Sequence, residues 1–287
     1  MNCSRSKKRI VSIALSLITL FTCLTIAFNY LCAQDDTFKI TQYSITTEKP
    51  ISNFRIAMVS DMHLQEYGEG NKELLEAIEA QEPDIIAVVG DSTIYKSTEH
   101  QSAIDFLNAA AKIAPTYFSA GNHEWGTIYN DKKYDLLYAL ENCDAVFLSN
   151  ELQEITIGDN TLIICGVYDE SKAKWGHTDE VFPILNSEEN DGKFKLLLSH
   201  YPTLIQYSNV TPNADLVLSG HEHGGQVIIP IINKGLFSKN QGWFPEYTSG
   251  IHCIANNLVI IGTGLSNSYY WFPRVNNQPE LVVIDVN

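Results

Sequence analysis

Apolar and polar residues alternate from Thr37 to Thr47, with Phe38, Ile40, Tyr43 and Ile45 as the apolar members, a pattern that predicts an edge strand. Phe54–Ser60 and Asp84–Val89 are almost unbroken apolar runs, which predicts buried strands that stop at Asp61 and at Gly90-Asp91. Between them, Asn71–Ala80 sets Leu74, Leu75 and Ile78 on one face at helical spacing, and Pro83 closes that helix. A helix near Gln101–Lys112 then leads to a strand over Pro115–Ser119, which stops at Gly121-Asn122-His123-Glu124. A further helix is expected around Lys133–Glu141, followed by a strand at Ala145–Leu148. The second half is richer in hairpins. Gln153–Ile157 pairs with Thr161–Val167 across Gly158-Asp159-Asn160, and Lys195–Leu198 and Asp215–Leu218 run into Ser199-His200 and Gly220-His221-Glu222-His223. Short strands near Val227–Ile229, His252–Ala255, Leu258–Ile261 and Leu281–Val286 close the chain. Alternating strands and helices followed by hairpins predict an α/β fold of two packed sheets flanked by helices. In such sheets functional groups gather beyond the carboxyl ends of the strands.

The first 33 residues differ from the rest. Arg5, Lys7, Lys8 and Arg9 precede an apolar run from Ile10 to about Phe28 that is broken only by Ser and Thr. A helix of that length is near the minimum of roughly 17–20 residues for a bilayer core. A cleaved signal peptide is the rival reading, but Leu31-Cys32-Ala33 puts a bulky Leu where a cleavage site wants a small residue. Residues 1–33 therefore read as a basic leader with a single apolar anchor or signal segment, and 34–287 as one globular domain. The positive-inside rule leaves the N-terminus in the cytoplasm and the body across the cell membrane, or secreted if the segment is cleaved.

The formal net charge is −15, and removing the leader leaves 15 basic against 34 acidic groups, a net of −19. Duplex nucleic acid is a poor partner for so acidic a body, because such binding relies on Lys and Arg displacing counterions. An anionic substrate must be drawn in by something local, and bound cations would do it. The six cysteines contain no CxxC pair, which argues against a disulfide scaffold or a thiolate zinc site and favours small buried apolar residues.

Five strand ends carry a ligand-type residue. Asp61-x-His63 and His221-x-His223 each offer two donors on one side of a chain end, and Gly90-Asp91 puts a carboxylate after a residue that lets the chain turn sharply. Asn122 adds an amide oxygen, and His123 and His200 add imidazoles. Five of the eight histidines fall in these positions, while His100, His177 and His252 sit in no motif. A mixed histidine and carboxylate set suits zinc, iron or manganese better than calcium or magnesium.

The ordered set Asp61-x-His63, Gly90-Asp91, Gly121-Asn122-His123-Glu124, His200 and Gly220-His221-x-His223 resembles the calcineurin-like metallophosphoesterase family. The basic leader with its anchor, Gly224-Gly225-Gln226, Phe272-Pro273-Arg274 and Pro279-Glu280-Leu281 resemble its bacterial membrane-associated branch. The resemblance implies a four-layer αββα sandwich of two mixed sheets. It also implies a dinuclear centre of Mn, Zn or Fe, with Asp61, His63 and His223 on one ion, Asn122, His200 and His221 on the other, and Asp91 bridging. His123 would bind no metal; it would face the scissile phosphate and serve the leaving oxygen. Two divalent ions can clamp attacking and leaving oxygens, and a water they share loses its proton near neutral pH. The hydroxide so formed would attack a phosphodiester, phosphomonoester or pyrophosphate bond. Glu222 departs from the common small hydroxyl residue, and Ser92–Tyr95 lacks the second acid that many relatives carry.

Other residues admit two readings. Glu124 is either an orienter of His123 or a solvent-facing helix start. Arg274 reads as an exposed loop residue before a phosphate contact. Trp243, Phe244, Trp271 and Phe272 read as core packing before a substrate pocket, and Tyr168-Asp169 is a weak candidate near the site. The alternative functions are a lipid- or envelope-directed phosphohydrolase and a non-catalytic metal-binding envelope protein.

Overall fold

Burial along the strands follows the two-residue period of the pleat. In Phe54–Val59 (β2), Ile56 and Met58 face one apolar layer, while Ala57 and Val59 face another. In Phe194–Ser199 (β8), Leu196 and Leu198 enter the first of these layers and Leu197 enters a third. This is what two stacked sheets covered on both outer faces require. The computed structural model describes residues 13, 15–25, 37–168, 178–267 and 273–287.

The first sheet runs in the order β1 (Lys39–Ile45), β16 (Glu280–Val286), β2, β3 (Ile85–Val89), β4 (Thr116–Ser119) and β5 (Val146–Phe147). The second runs β14 (Gly250–Ile254), β15 (Asn257–Ile261), β9 (Leu216–Ser219), β8, β7 (Asn160–Val167) and β6 (Glu151–Ile157). Both are mixed: β2 to β5 are parallel with β16 antiparallel to β2, and β15, β9, β8 and β7 are parallel with antiparallel edges at β14 and β6. The inner faces meet through Ile56, Met58, Val89, Ile164, Leu196, Leu218 and Ile260 among others. Fully burying each such side chain stabilises the fold by ~1.5–3 kcal/mol relative to leaving it in water.

Helices α2 (Lys72–Glu79), α3 (Gln101–Ala110) and α5 (Tyr134–Glu141) cover the outer face of the first sheet through Leu74, Ile78, Phe106, Leu107, Leu136 and Leu140. Helices α6 (Thr178–Leu185) and α7 (Leu204–Tyr207) cover the second through Phe182, Leu185, Leu204 and Ile205. The result is the expected four-layer αββα sandwich. β1 is the edge strand that its alternation predicts. Helix α6 was not expected, because Pro183 lies inside it and reads as a breaker. Burial of Val181, Phe182 and Leu185 holds the segment helical.

Residues 15–25 form a helix, α1, whose Leu15, Leu17, Ile18, Phe21 and Leu24 are exposed. Among the described residues no helix is long and apolar enough to cross a membrane. The ends of the run Ile10–Phe28 and the basic patch Arg5–Arg9 lie outside the described residues, as do Cys3, Cys32, Asp169, His177, Trp271 and Phe272. Cys23, Cys143, Cys165 and Cys253 form no disulfide. Only Cys165 is buried, against the expectation for the set; Cys253 lies on edge strand β14, where one face is wet.

Candidate metal centre

All the motif residues follow strand ends: Asp61 and His63 after β2, Asp91 after β3, Asn122 and His123 after β4, His200 after β8, and His221 and His223 after β9. The chain turns abruptly to aim them. Asp61, His63, Asp91, His221 and His223 all hold φ between 46° and 72°. That left-handed region costs a non-glycine residue roughly 1–2 kcal/mol, and such strain concentrates where side chains must be aimed. Backbone bonds between the loops hold it in place: Asp61 N–H to Gly90 O (3.0 Å), His63 N–H to Asp91 O (2.9 Å) and Leu64 N–H to Ser92 O (3.1 Å). Gly90 is required for close approach as well as turning, since a Cβ there would lie 2.6 Å from His200 Nδ1 and 2.7 Å from the Gly121 nitrogen.

The side chains converge in two groups. Potential ligand atoms of Asp61, His63 and His223 lie within 4.8 Å of one another, as do those of Asp91, His200 and His221. His63 Nε2 is 3.3 Å from His223 Nε2, which is 3.6 Å from Asp61 Oδ1. In the second group His200 Nε2 is 3.1 Å from Asp91 Oδ2 and 3.3 Å from His221 Nδ1. Asp91 Oδ2 is also 3.8 Å from His63 Nε2, so this carboxylate lies between the groups. Asn122 Oδ1 and His221 Nε2 are buried with no hydrogen-bond partner.

This donor set fits cations. Thr93 O lies 3.2 Å from His63 Nδ1 and Val89 O lies 2.9 Å from His200 Nδ1, so each Nδ1 carries the proton and each Nε2 presents a lone pair inward. The Nε2 atoms of His63 and His200 therefore both face the Asp91 carboxylate, an arrangement that a positive charge, a cation or a proton, relieves. Burial pulls His63 down to about 3, outweighing the pull of Asp91. Burial also holds His221 and His223 well below the ordinary imidazole value, helped by His200 beside the first and His63 beside the second. These three rings are neutral, as ligands must be. Burial pushes Asp61 up to about 6 against the opposing charge of His200. Burial works against a charge on His200, but Asp91 outweighs it and lifts the ring to about 10. Burial also opposes the Asp91 charge, yet His200, His123 and His63 hold its carboxyl well below the usual range. Without a cation, the pair takes up a proton instead.

His123 reaches the same cluster, with Nε2 3.9 Å from Asp91 Oδ2, and could be grouped with His63 and Asp91 as a ligand. Tyr95 N–H donates to His123 Nδ1 at 2.6 Å, which leaves Nε2 as the ring nitrogen that offers a donor.

Several supporting residues depart from their sequence readings. Glu124 neither orients His123 nor faces solvent. It is fully buried, and its carboxylate accepts from Asp91 N–H (2.9 Å), Gly121 N–H (2.9 Å), Thr93 N–H (2.8 Å) and the Thr93 hydroxyl (3.0 Å). Ser92–Tyr95 lacks a second acid, yet its backbone serves His63 through Thr93 and His123 through Tyr95. Arg274 is buried, not an exposed loop residue. Its guanidinium donates to Ser266 O (2.7 Å), Thr263 O (2.7 Å) and Gly264 O (3.3 Å) and touches His223 Nδ1 at 3.4 Å. Glu222 is buried and takes the Ser238 hydroxyl. Trp243 and Phe244 are 68% and 61% exposed and do not pack in a core. Tyr168 stacks on Trp125 at 4.1 Å. A sequence offers no signal for backbone contacts of this kind.

Comparison with known proteins agrees with this geometry. The chain is 26% identical over 265 residues to a zebrafish (Danio rerio) transmembrane protein with metallophosphoesterase domain, covering 86% of this chain and 56% of that protein. It is 24% identical over 237 residues to the phosphodiesterase YaeI of Escherichia coli, covering 81% of this chain and 82% of the relative. Six of its curated relatives are longer proteins, of which it spans 39% to 63%. Among solved structures, Haemophilus influenzae NAD nucleotidase shares the fold with a TM-score of 0.50 at 15% identity, over 75% of this chain and 46% of that one. The profile of the calcineurin-like phosphoesterase family matches residues 54–225, well over half of the chain and every motif from Asp61 to His223. The chain belongs to the calcineurin-like phosphoesterase family.

Proposed function

We propose that Asp61, His63 and His223 hold one divalent ion, that Asn122, His200 and His221 hold a second, and that Asp91 is shared between them in a hydrolase of phosphate esters. The observation that carries this reading is the position of Asp91 Oδ2, 3.8 Å from His63 of one group and 3.1 Å from His200 of the other. Manganese, zinc and iron all suit the donors. Bound there, such ions supply Lewis acidity, polarising phosphate oxygens and acidifying water. The chain's own residues do the rest. Asn122 gives an oxygen without charge, so Asp61 and Asp91 alone offset the ions and the centre stays cationic toward an anionic ester. Tyr95 fixes the His123 proton on Nε2, where it can be donated to the leaving oxygen. Glu124 holds the backbone on which Asp91 and Gly121 sit.

Diesters, monoesters and pyrophosphates of small molecules or lipids are all accessible to this chemistry, and duplex nucleic acid is disfavoured by the acidic body. Residues 1–33 are proposed as a membrane anchor that places the domain from residue 34 to 287 outside the cytoplasm. The similarity to a zebrafish transmembrane protein with metallophosphoesterase domain supports this. The test uses the full purified chain in detergent with manganese and bis-p-nitrophenyl phosphate. Turnover is expected, with Asp91→Asn losing at least one ion and most activity, and His123→Ala keeping both ions but turning over slowly. Two bound ions with no turnover on any divalent metal would instead mark a binding protein.

A further inference from the structure

The stretch from Gln226 to Pro245 stands apart in composition. Its 20 residues include eleven that are apolar or proline, two lysines and no Asp or Glu, in a chain that averages one acid for every eight or so residues. It folds as two small hairpins. Ile228–Ile229 (β10) pairs with Lys234–Gly235 (β11), and Phe237–Ser238 (β12) pairs with Gly242–Trp243 (β13). The hairpins are joined through Leu236, whose N–H donates to Val227 O (2.8 Å) and whose carbonyl accepts from Phe244 N–H (2.9 Å). Three backbone segments therefore lie side by side.

This element turns its large apolar residues outward. Ile231 is fully exposed, and Ile232, Trp243 and Phe244 are more than half exposed. Ile231 has φ 78° and Phe244 φ 56°, a backbone region that β-branched and aromatic residues rarely adopt. The fold thus holds them away from the core at a conformational cost. Lys234 and Lys239 are exposed in the same stretch, and among the described residues neither meets an acidic side chain at ion-pair distance. Exposed Trp, Phe and Ile interspersed with lysine and free of acids is the composition of a surface that lies in the bilayer interface. A patch of positive charge on an otherwise acidic body is complementary to anionic headgroups. The apolar run from Ile10, with its flanking Arg5–Arg9, is a second observation that puts this chain at a bilayer.

We propose that Gln226–Pro245 is a docking surface for an anionic lipid bilayer. It lies directly against the histidine loop: Gly225 packs on Gly235, Leu236 N–H reaches Gly225 O at 3.2 Å, and the Ser238 hydroxyl bonds Glu222 between His221 and His223. Docking by this face sets the metal centre at headgroup level, where esters of membrane lipids lie. That consequence rests on the hydrolytic reading; the docking itself does not.

The test reconstitutes the full chain in vesicles of equal parts phosphatidylcholine and phosphatidylglycerol, with bromines on the acyl chains just below the glycerol. The emission difference between wild type and Trp243→Phe isolates Trp243 from the other tryptophans, and it reads docking whether or not the site is active. The difference signal is expected to lose most of its intensity to the bromines. Lys234→Glu with Lys239→Glu, or pure phosphatidylcholine, should restore it. Unquenched Trp243 emission in the anchored protein would overturn the proposal. So would quenching that is indifferent to both charge reversal and headgroup charge. Trp243 emission already blue-shifted in detergent, with cross-linking to a second copy, would overturn it in favour of self-association.

Discussion

Replacing Glu124 by Gln is the substitution for which the structure predicts the largest effect from the smallest chemical change. One carboxylate oxygen accepts from the amides of Asp91 and Gly121, both at 2.9 Å, and the other from the Thr93 amide and hydroxyl at 2.8 and 3.0 Å. A glutamine keeps one oxygen and turns an amino group toward the other pair, donor against donor. Two hydrogen bonds to a charged group are lost, at ~1.5–3 kcal/mol each, so the loss is about 3–6 kcal/mol. That is a large part of the ~5–15 kcal/mol by which a domain is stable. Urea unfolding followed by circular dichroism, with and without bound metal, reads it directly. The metal-loaded variant should also retain less metal, because whichever pair loses its acceptor, it holds either the amide of Asp91 or that of Thr93 behind His63. A variant within about 1 kcal/mol of wild type that binds its ions unchanged would refute the reasoning, because two buried donors cannot lose their acceptor so cheaply.

Two further outcomes are expected. Arg274→Met strips donors from the carbonyls of Ser266, Thr263 and Gly264 and removes the contact behind His223, so dialysis against chelator should empty the Asp61–His63–His223 group first. Arg274→Lys should not rescue it, since one ammonium cannot span the fork; full rescue would show that charge alone suffices. In the metal-free protein burial raises Glu222 to about 7 against its bonds from Ser238 and Gln241. A raised folded-state value contributes stability below the ordinary value of 4.5 that is lost as pH rises through 7. Glu222→Gln, which cannot ionise, should therefore be more stable than wild type above pH 7, by on the order of 1–3 kcal/mol. The advantage should vanish below pH 4.5, and parallel melting curves across that window would contradict the assignment.

The sequence alone determined the sandwich and the identities of the clustered residues. Strand and helix periods are local, and a ligand is defined by its side-chain type, so Asp61-x-His63, Asp91, Asn122 and His221-x-His223 could be read from spacing at strand ends. What surrounds them could not. Glu124 meets Asp91 across 33 residues of chain, and Arg274 meets His223 across 51. Whether an acid or a guanidinium is solvated or buried depends on such remote partners and not on its neighbours in sequence. The same holds for the placement of the last strand, β16, between β1 and β2 in the first sheet. It holds too for Trp243 and Phe244, whose apolar character reads as core until the backbone is seen turning them to the outside. The tautomer of His123 was decided by the amide of Tyr95, a group every residue but proline carries. Backbone donors are invisible in a sequence because they are the same everywhere, and only the tertiary fold decides which of them reaches the site.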